Sequence, residues 1–301
     1  MSEKIHIIFG ATASGKTEFS VNLAKEIGNA EIINADSMQI YQEIPIITNQ
    51  PKEAEKQNIP HHLFGVKSIL HHSDLSEWLE MAVPLIHEIK ARTKTPILVG
   101  GTGLYLKSIV EGVSEIPKIP PEIKQKFLNL CSIVPENKKQ TQLYDILKNI
   151  DPEGADKIKP NDTQRTLRAL EVKDYTGVSI SEWNKKPQKK FFDKENFSIH
   201  FIDKPREEIY LKINARFENM VENGLLDEAK KVREIWLENN ISASNNNLPA
   251  YKAHGLREII AYLDGEISLD EAISKAQQAT RNYAKRQFTW WRGWQGSFFF
   301  N

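Results

Sequence analysis

Gly10-Ala11-Thr12-Ala13-Ser14-Gly15-Lys16-Thr17 is a complete G-x-x-x-x-G-K-[ST] phosphate loop. Its flanks are those the loop requires. Ile5-His6-Ile7-Ile8-Phe9 is an apolar run that suits a buried strand, and residues 18–27 carry a helical pattern. A strand–loop–helix unit of this kind turns backbone N–H groups inward around a cluster of anionic oxygens. Lys16 adds a point charge, the helix N-terminus adds its dipole, and the Thr17 hydroxyl is placed to hold Mg²⁺. The stretch predicts binding of a di- or triphosphate.

The same alternation continues outward from the loop. Glu31-Ile32-Ile33-Asn34-Ala35-Asp36 reads as a second strand ending in a carboxylate, and Pro96-Ile97-Leu98-Val99 as a third that runs into Gly100-Gly101-Thr102-Gly103. Residues 74–92 between them have the periodicity of a crossover helix, so β-α-β units and a parallel sheet are expected. Ile116-Pro117-Lys118-Ile119-Pro120-Pro121 is a stiff exit from the sheet. Residues 122–183 then read as helical, with Asn161-Asp162 capping a helix at Thr163. Phe197-Ser198-Ile199-His200-Phe201-Ile202 resumes strand alternation, residues 207–236 read as helix, and Asn245-Asn246-Asn247 as a polar loop. A last helix from Asp270 ends in an aromatic tail. The expected fold is α/β: a P-loop parallel-sheet core (1–116 and 197–301) with an inserted helical domain (117–196) and a C-terminal helical part.

Bulk composition narrows the setting. Lys+Arg and Asp+Glu balance at 40 each in 301 residues, so any polyanion-binding surface must be a local patch. The single cysteine, Cys131, excludes an internal disulfide framework and a multi-cysteine zinc module. No apolar run approaches the ~20 residues of a membrane span. The phosphate loop starts too early to leave room for a signal peptide. A cytoplasmic protein with no membrane contact is expected.

The loop alone does not choose between kinase, ATPase and other chemistry. The third strand ends without the acidic residue that nucleotide hydrolases use near Mg²⁺. Asp36 has three competing roles: Mg²⁺ ligand, general base, or cap of a following turn. His61-His62 and His71-His72 invite a metal reading, but adjacent pairs do not converge on one ion and no cysteine supports them.

Five stretches occur in an order that carries a resemblance: residues 10–17, Ala35-Asp36-Ser37-Met38-Gln39-Ile40-Tyr41, Val99-Gly100-Gly101-Thr102-Gly103-Leu104-Tyr105, residues 160–171, and Arg281-Asn282-Tyr283-Ala284-Lys285-Arg286-Gln287. Together they resemble the bacterial tRNA isopentenyltransferase family, the tRNA dimethylallyltransferases, over nearly the whole chain. That resemblance implies transfer of a dimethylallyl group from dimethylallyl diphosphate to N6 of the adenosine on the 3′ side of the tRNA anticodon. The phosphate loop and Mg²⁺ would then hold a diphosphate leaving group, with Arg216 beside it. Asp36 would be the base and Thr102 would lie near the reacting centre. Ser37, Met38 and Gln39 would touch the target nucleotide. Contacts to the tRNA anticodon stem-loop are implied for Lys124, Gln164, Arg165 and Arg168 of the insertion, and for Lys252, His254, Arg257, Arg281, Lys285 and Arg286.

Residue chemistry agrees with a nucleic-acid partner. No acidic residue follows Glu271, whereas Lys275, Arg281, Lys285, Arg286 and Arg292 interleave with Tyr283, Phe288, Trp290, Trp291 and Trp294. A core-packing role for the tryptophans competes with stacking on bases, and a solvated helix competes with an RNA contact for Gln164 and Arg168. The chain departs from the family pattern at Ala11, Gln50, Lys124 and Leu256; the last three bear on tRNA affinity. Three other readings stay open: an adenylate isopentenyltransferase acting on free nucleotide, a P-loop small-molecule kinase, and a non-catalytic RNA-binding P-loop protein. A monomer is expected, because each motif the reaction needs lies in one chain.

Overall fold

The structure is a computed structural model that describes residues 4–133, 136–241 and 248–299. Five strands form one parallel sheet: β1 (Ile5–Gly10), β2 (Ala30–Asn34), β3 (His61–His62), β4 (Thr95–Gly100) and β5 (Phe197–Ile202), in spatial order β3-β2-β4-β1-β5. Ile7 pairs with Leu98 on one side and Ile199 on the other. Helices follow in chain order as α1 (Lys16–Ile27), α2 (Glu53–Lys56), α3 (Leu75–Ala91) and α4 (Gly103–Glu111). Next come α5 (Pro121–Ile133), α6 (Glu136–Ile150), α7 (Pro152–Ala155), α8 (Thr163–Thr176) and α9 (Ile180–Trp183). The last four are α10 (Arg206–Met220), α11 (Leu226–Glu238), α12 (Leu256–Leu263) and α13 (Leu269–Phe299).

Parallel strands covered on both faces should read as unbroken apolar runs, and every residue of β2 and β4 is buried. Val21 and Ala24 of α1 pack on Ile8, Ile32, Ile97 and Val99. Trp291 and Trp294 of α13 pack on Phe9 of β1, with ring centroids at 4.2 and 5.4 Å. Both tryptophans are buried, so they belong to the core and not to a base-stacking surface. Asp74 caps α3 by accepting the Glu77 amide at 3.1 Å, and Asp162 caps α8 by accepting that of Arg165 at 3.1 Å.

The chain divides into two compact units, Met1–Val110 with Phe192–Asn301, and Glu111–Phe191. These divisions fall a few residues ahead of the proline segment and of β5. The second unit has its own core, in which Phe127, Leu143, Leu147, Ala169 and Leu170 meet between α5, α6 and α8.

Several elements differ from the sequence reading. Strand β2 stops at Asn34, because the Asn34 side chain closes a turn: Oδ1 accepts the Asp36 amide at 2.8 Å and Nδ2 donates to Asp36 O at 3.0 Å. Asp36 therefore lies in a loop beyond the strand. The helix read across 207–236 is broken at Val221–Leu225, where Gly224 takes φ 101°. Strand β3, helix α2 and helix α12 have no counterpart in the sequence reading. Asn245-Asn246-Asn247 and the last two residues lie outside the described residues.

Candidate active site

The phosphate loop leaves the carboxyl end of β1, where ligands of parallel α/β sheets sit. Gly15, at φ 93°, makes the left-handed turn that opens α1. Lys16 Nζ donates to Gly10 O at 3.0 Å and Ala11 O at 2.7 Å. Burial pushes the Lys16 ammonium down to about 8; Asp36 opposes that shift and Arg216 adds to it. Arg216, from α10, is pushed by burial to about 10, again opposed by Asp36. Its Nη2 donates to Thr12 Oγ1 at 2.8 Å. The Thr12 amide donates to Gln287 Oε1 at 2.8 Å, so Thr12 is held through backbone and hydroxyl by two different helices.

Asp36 Oδ1 accepts the Met38 amide at 2.9 Å, an Asx turn that fixes the carboxylate's direction. The capping and functional readings of Asp36 are thus compatible, since Oδ2 is the atom nearer the Gly101 backbone. A Cβ on Gly101 would come within 3.3 Å of Asp36 Oδ2 and would overlap the Gln287 amide. Thr102 Oγ1 accepts the Ser37 amide at 2.9 Å and lies 3.3 Å from Ser37 Oγ. Tyr283 pairs with the side chains of Thr102 and Gln287, and burial drives its phenol well above the ordinary tyrosine range. The His254 ring packs against that of Tyr283, with centroids 4.6 Å apart and planes tilted by 42°. Burial pushes its imidazole down to about 4, with Arg286 and Arg257 lowering it further against Asp36.

A cavity of about 520 Å³ opens between loop and carboxylate. Thr12, Ala13, Gly15, Lys16, Thr17 and Arg216 line it, together with Asp36 and Gln39. Gly10, Ala11 and Ser14 do not; the Ser14 hydroxyl is buried without a hydrogen-bond partner among the described residues. Ser37, Met38 and Thr102 also lie outside the lining, and Thr102 reaches it only through its bond to the turn after Asp36. Lys212, Asn22, His61 and Phe64 also line the cavity; of these only His61 drew notice in the sequence, as half of a histidine pair weighed for metal. No short-range motif gathers them, because they come from separate elements: α10, α1, β3 and the segment after β3.

Among the described residues no three His, Cys, Asp or Glu side chains gather as a metal cage. The Thr17 hydroxyl and the Asp36 carboxylate are hard oxygen donors in the same cavity. That sparse set fits Mg²⁺, which takes one or two protein oxygens and completes its shell with phosphate and water. His62 is engaged elsewhere, 2.7 Å from the buried Glu31 carboxylate, which also meets Arg92 and Lys94.

The residues assigned to RNA are placed unevenly. Lys252, Arg257, Lys285 and Arg286 are exposed, whereas Arg281 is half-buried and tied to Asn214 at 2.5 Å. Arg257 lies over the Tyr251 ring at 4.6 Å. In the second unit Lys124, Gln164, Arg165 and Arg168 are exposed; Arg165 meets Asp162 at 3.2 Å and Arg168 meets Glu171 at 3.7 Å. Gln287 is the residue that sequence reasoning undervalued. It lies in the basic, exposed-looking 281–287 string yet is 5 % exposed, and its i,i+4 spacing from Tyr283 was the available signal.

A parallel sheet with a phosphate loop beyond β1, and a carboxylate in the cavity of that loop, define a P-loop protein of the α/β class. The sequence model of the IPP transferase family matches residues 39–294. The chain is 42 % identical over 289 residues to the tRNA dimethylallyltransferase of Pelagibacter ubique, covering 96 % of this chain and 88 % of that protein. It is 43 % identical over 292 residues to the enzyme of the same name from Wolbachia pipientis, covering 97 % and 93 %. A solved eukaryotic dimethylallyltransferase acting on tRNA superposes with a TM-score of 0.81 at 30 % identity, covering 96 % of this chain and 70 % of that one. The tRNA isopentenylpyrophosphate transferase of Bacillus halodurans gives 0.64 at 34 % identity, covering 96 % and 87 %. This chain belongs to the IPP transferase family.

Proposed function

We propose that this protein transfers a dimethylallyl group from dimethylallyl diphosphate to N6 of the adenosine 3′-adjacent to the anticodon of a tRNA. The carrying observation is that Lys16, Thr17 and Arg216 line one cavity with Asp36. At about 520 Å³ the cavity is in the range of small-ligand sites, which suits an isoprenoid diphosphate meeting one base. The relatives' names, over nearly the full chain, support the same reading.

The chemistry divides between the two ends of the cavity. As the allylic C–O bond breaks, negative charge grows on the diphosphate, where Lys16, Arg216 and the loop amides stabilise it. Mg²⁺ held by Thr17 would add further charge neutralisation of the leaving diphosphate. The N6 lone pair forms the new C–N bond, and Asp36 Oδ2 takes the proton that N6 loses. Thr102, through Ser37, holds the turn that aims Asp36. Gln39 lines the acceptor side, with Ser37 and Met38 beside it in the same turn. An adenosine in a folded loop must leave its stack to reach this depth. Lys252, His254, Arg257, Arg281, Lys285 and Arg286, with Lys124, Gln164, Arg165 and Arg168 of the second unit, bind the anticodon arm that delivers it. The protein works as a cytoplasmic monomer in this reading; no helix among the described residues is long and apolar enough to cross a membrane.

Incubation with unmodified tRNA, dimethylallyl diphosphate and Mg²⁺, followed by nucleoside mass spectrometry, tests the proposal. A dimethylallyl mass gain on adenosine is expected. Gain on free AMP alone would assign the protein to nucleotide prenylation, and phosphoryl transfer from ATP without any gain would return the loop to kinase chemistry.

A further inference from the structure

Gln287 lies on α13, beside the exposed Lys285 and Arg286, but is itself buried. Its Oε1 accepts the Thr12 amide of the phosphate loop at 2.8 Å, and its Nε2 donates to Gly101 O at 2.9 Å. The amide orientation is fixed by its partners, since Thr12 N–H can only donate and Gly101 C=O can only accept. Gly101 leads directly into Thr102, which accepts the Ser37 amide at 2.9 Å in the turn that holds Asp36. One side chain therefore joins the diphosphate loop, the acceptor turn and the basic helix.

We infer that Gln287 is a positioning residue that couples diphosphate binding in the loop to RNA binding at the acceptor side. The inference rests on the proposed tRNA reaction. The Gln287 amide supplies an acceptor to one segment and a donor to the other. Glutamate loses the donor and sets a charge against Gly101 O, and leucine leaves both backbone groups unpaired in a site withdrawn from water. With Gln287 in place, a shift of Thr12 toward bound diphosphate is passed to the Gly101–Thr102 turn. By linkage, RNA then tightens diphosphate binding by the same factor that diphosphate tightens RNA binding.

The test uses the full-length protein, a fluorescent anticodon stem-loop, and anisotropy with and without inorganic diphosphate and Mg²⁺. In the wild type, diphosphate is expected to tighten stem-loop binding about fivefold or more, the lower range of measured couplings. In Gln287→Leu and Gln287→Glu, each checked for folding by circular dichroism, that factor is expected to fall below about twofold while the affinity without diphosphate stays close to wild type. Lys285→Ala is expected to weaken RNA binding yet keep the factor, a split that a merely structural role of Gln287 would not produce. A wild type with a coupling factor of one, or a folded Gln287 variant that retains the full factor, would overturn the inference. If Gln287→Leu does not fold, Gln287→Glu, which preserves side-chain shape, decides the matter. Dimethylallyl transfer is assayed on the same preparation. An active wild type without coupling defeats this inference alone, whereas a wild type that neither binds nor prenylates tRNA defeats the proposed reaction and the inference with it.

Discussion

The Lys16 ammonium lies 2.7 Å from Ala11 O inside the curl of its own phosphate loop. Withdrawal from water at this position brings its pKa to about 8, while Asp36 partly restores the charged form.

Donor binding should therefore weaken with rising pH. Below about 8 the free protein carries Lys16 charged, and above it the ammonium must be re-protonated before it can face a phosphate. Affinity for dimethylallyl diphosphate is expected to fall by up to about tenfold per pH unit beyond the break. Lys16→Arg keeps its charge throughout and should remove the break. Titration of the diphosphate itself is common to both proteins, so the difference between their calorimetric pH profiles isolates Lys16. Parallel profiles would contradict the assignment.

The aromatic and basic residues of α13 should separate by role. Trp291 is fully buried against Phe9, so Trp291→Ala is expected to cost about 3–5 kcal/mol in urea unfolding. Lys285→Ala, at an exposed position, should change stability by no more than about 0.5 kcal/mol. It should instead lower the salt dependence of tRNA binding by about one unit of slope. A stable Trp291→Ala protein with weakened RNA binding would reverse the two roles.

His254 should contribute to acid sensitivity. Folded, its ring stays neutral down to about 4, whereas an unfolded histidine protonates near 6.5. Between those values the unfolded chain binds the extra proton, so stability falls as pH drops from about 6.5 to 4. The loss is on the order of 3 kcal/mol at most. His254→Phe keeps a ring against Tyr283 and should flatten that part of the stability–pH curve. Equal slopes in urea denaturation at pH 6.5, 5.5 and 4.5 would count against a ring held neutral by burial.

Much of the core was legible because its signals are local. Strands β1 and β4 are buried enough to read as apolar runs, the half-exposed β5 reads by alternation, and Asp162 announces its helix by capping. Strand β3 pairs through only two residues, too few for any periodicity. The break at Gly224 escaped because Val221–Leu225 continues helical turns on both sides of one left-handed residue. At the site, the loop and Asp36 could be found from spacing and resemblance. The Thr12–Gln287–Gly101 bridge could not, because it joins residues up to 275 positions apart through one buried amide. Trp291 and Trp294 show the reverse difficulty: composition made them candidates for stacking on bases, and burial against Phe9 decides for the core.

In the proposed reaction Asp36 accepts the N6 proton in the cavity of the phosphate loop. The most direct test of that step is single-turnover transfer by Asp36→Asn, with tRNA and dimethylallyl diphosphate affinities measured on the same protein. Asparagine can still accept the Met38 amide through Oδ1, so the turn is retained where alanine would lose it. The transfer rate should fall by about 10²–10⁴-fold with both affinities within a few-fold of wild type. Transfer at the wild-type rate would rule out Asp36 as the proton acceptor.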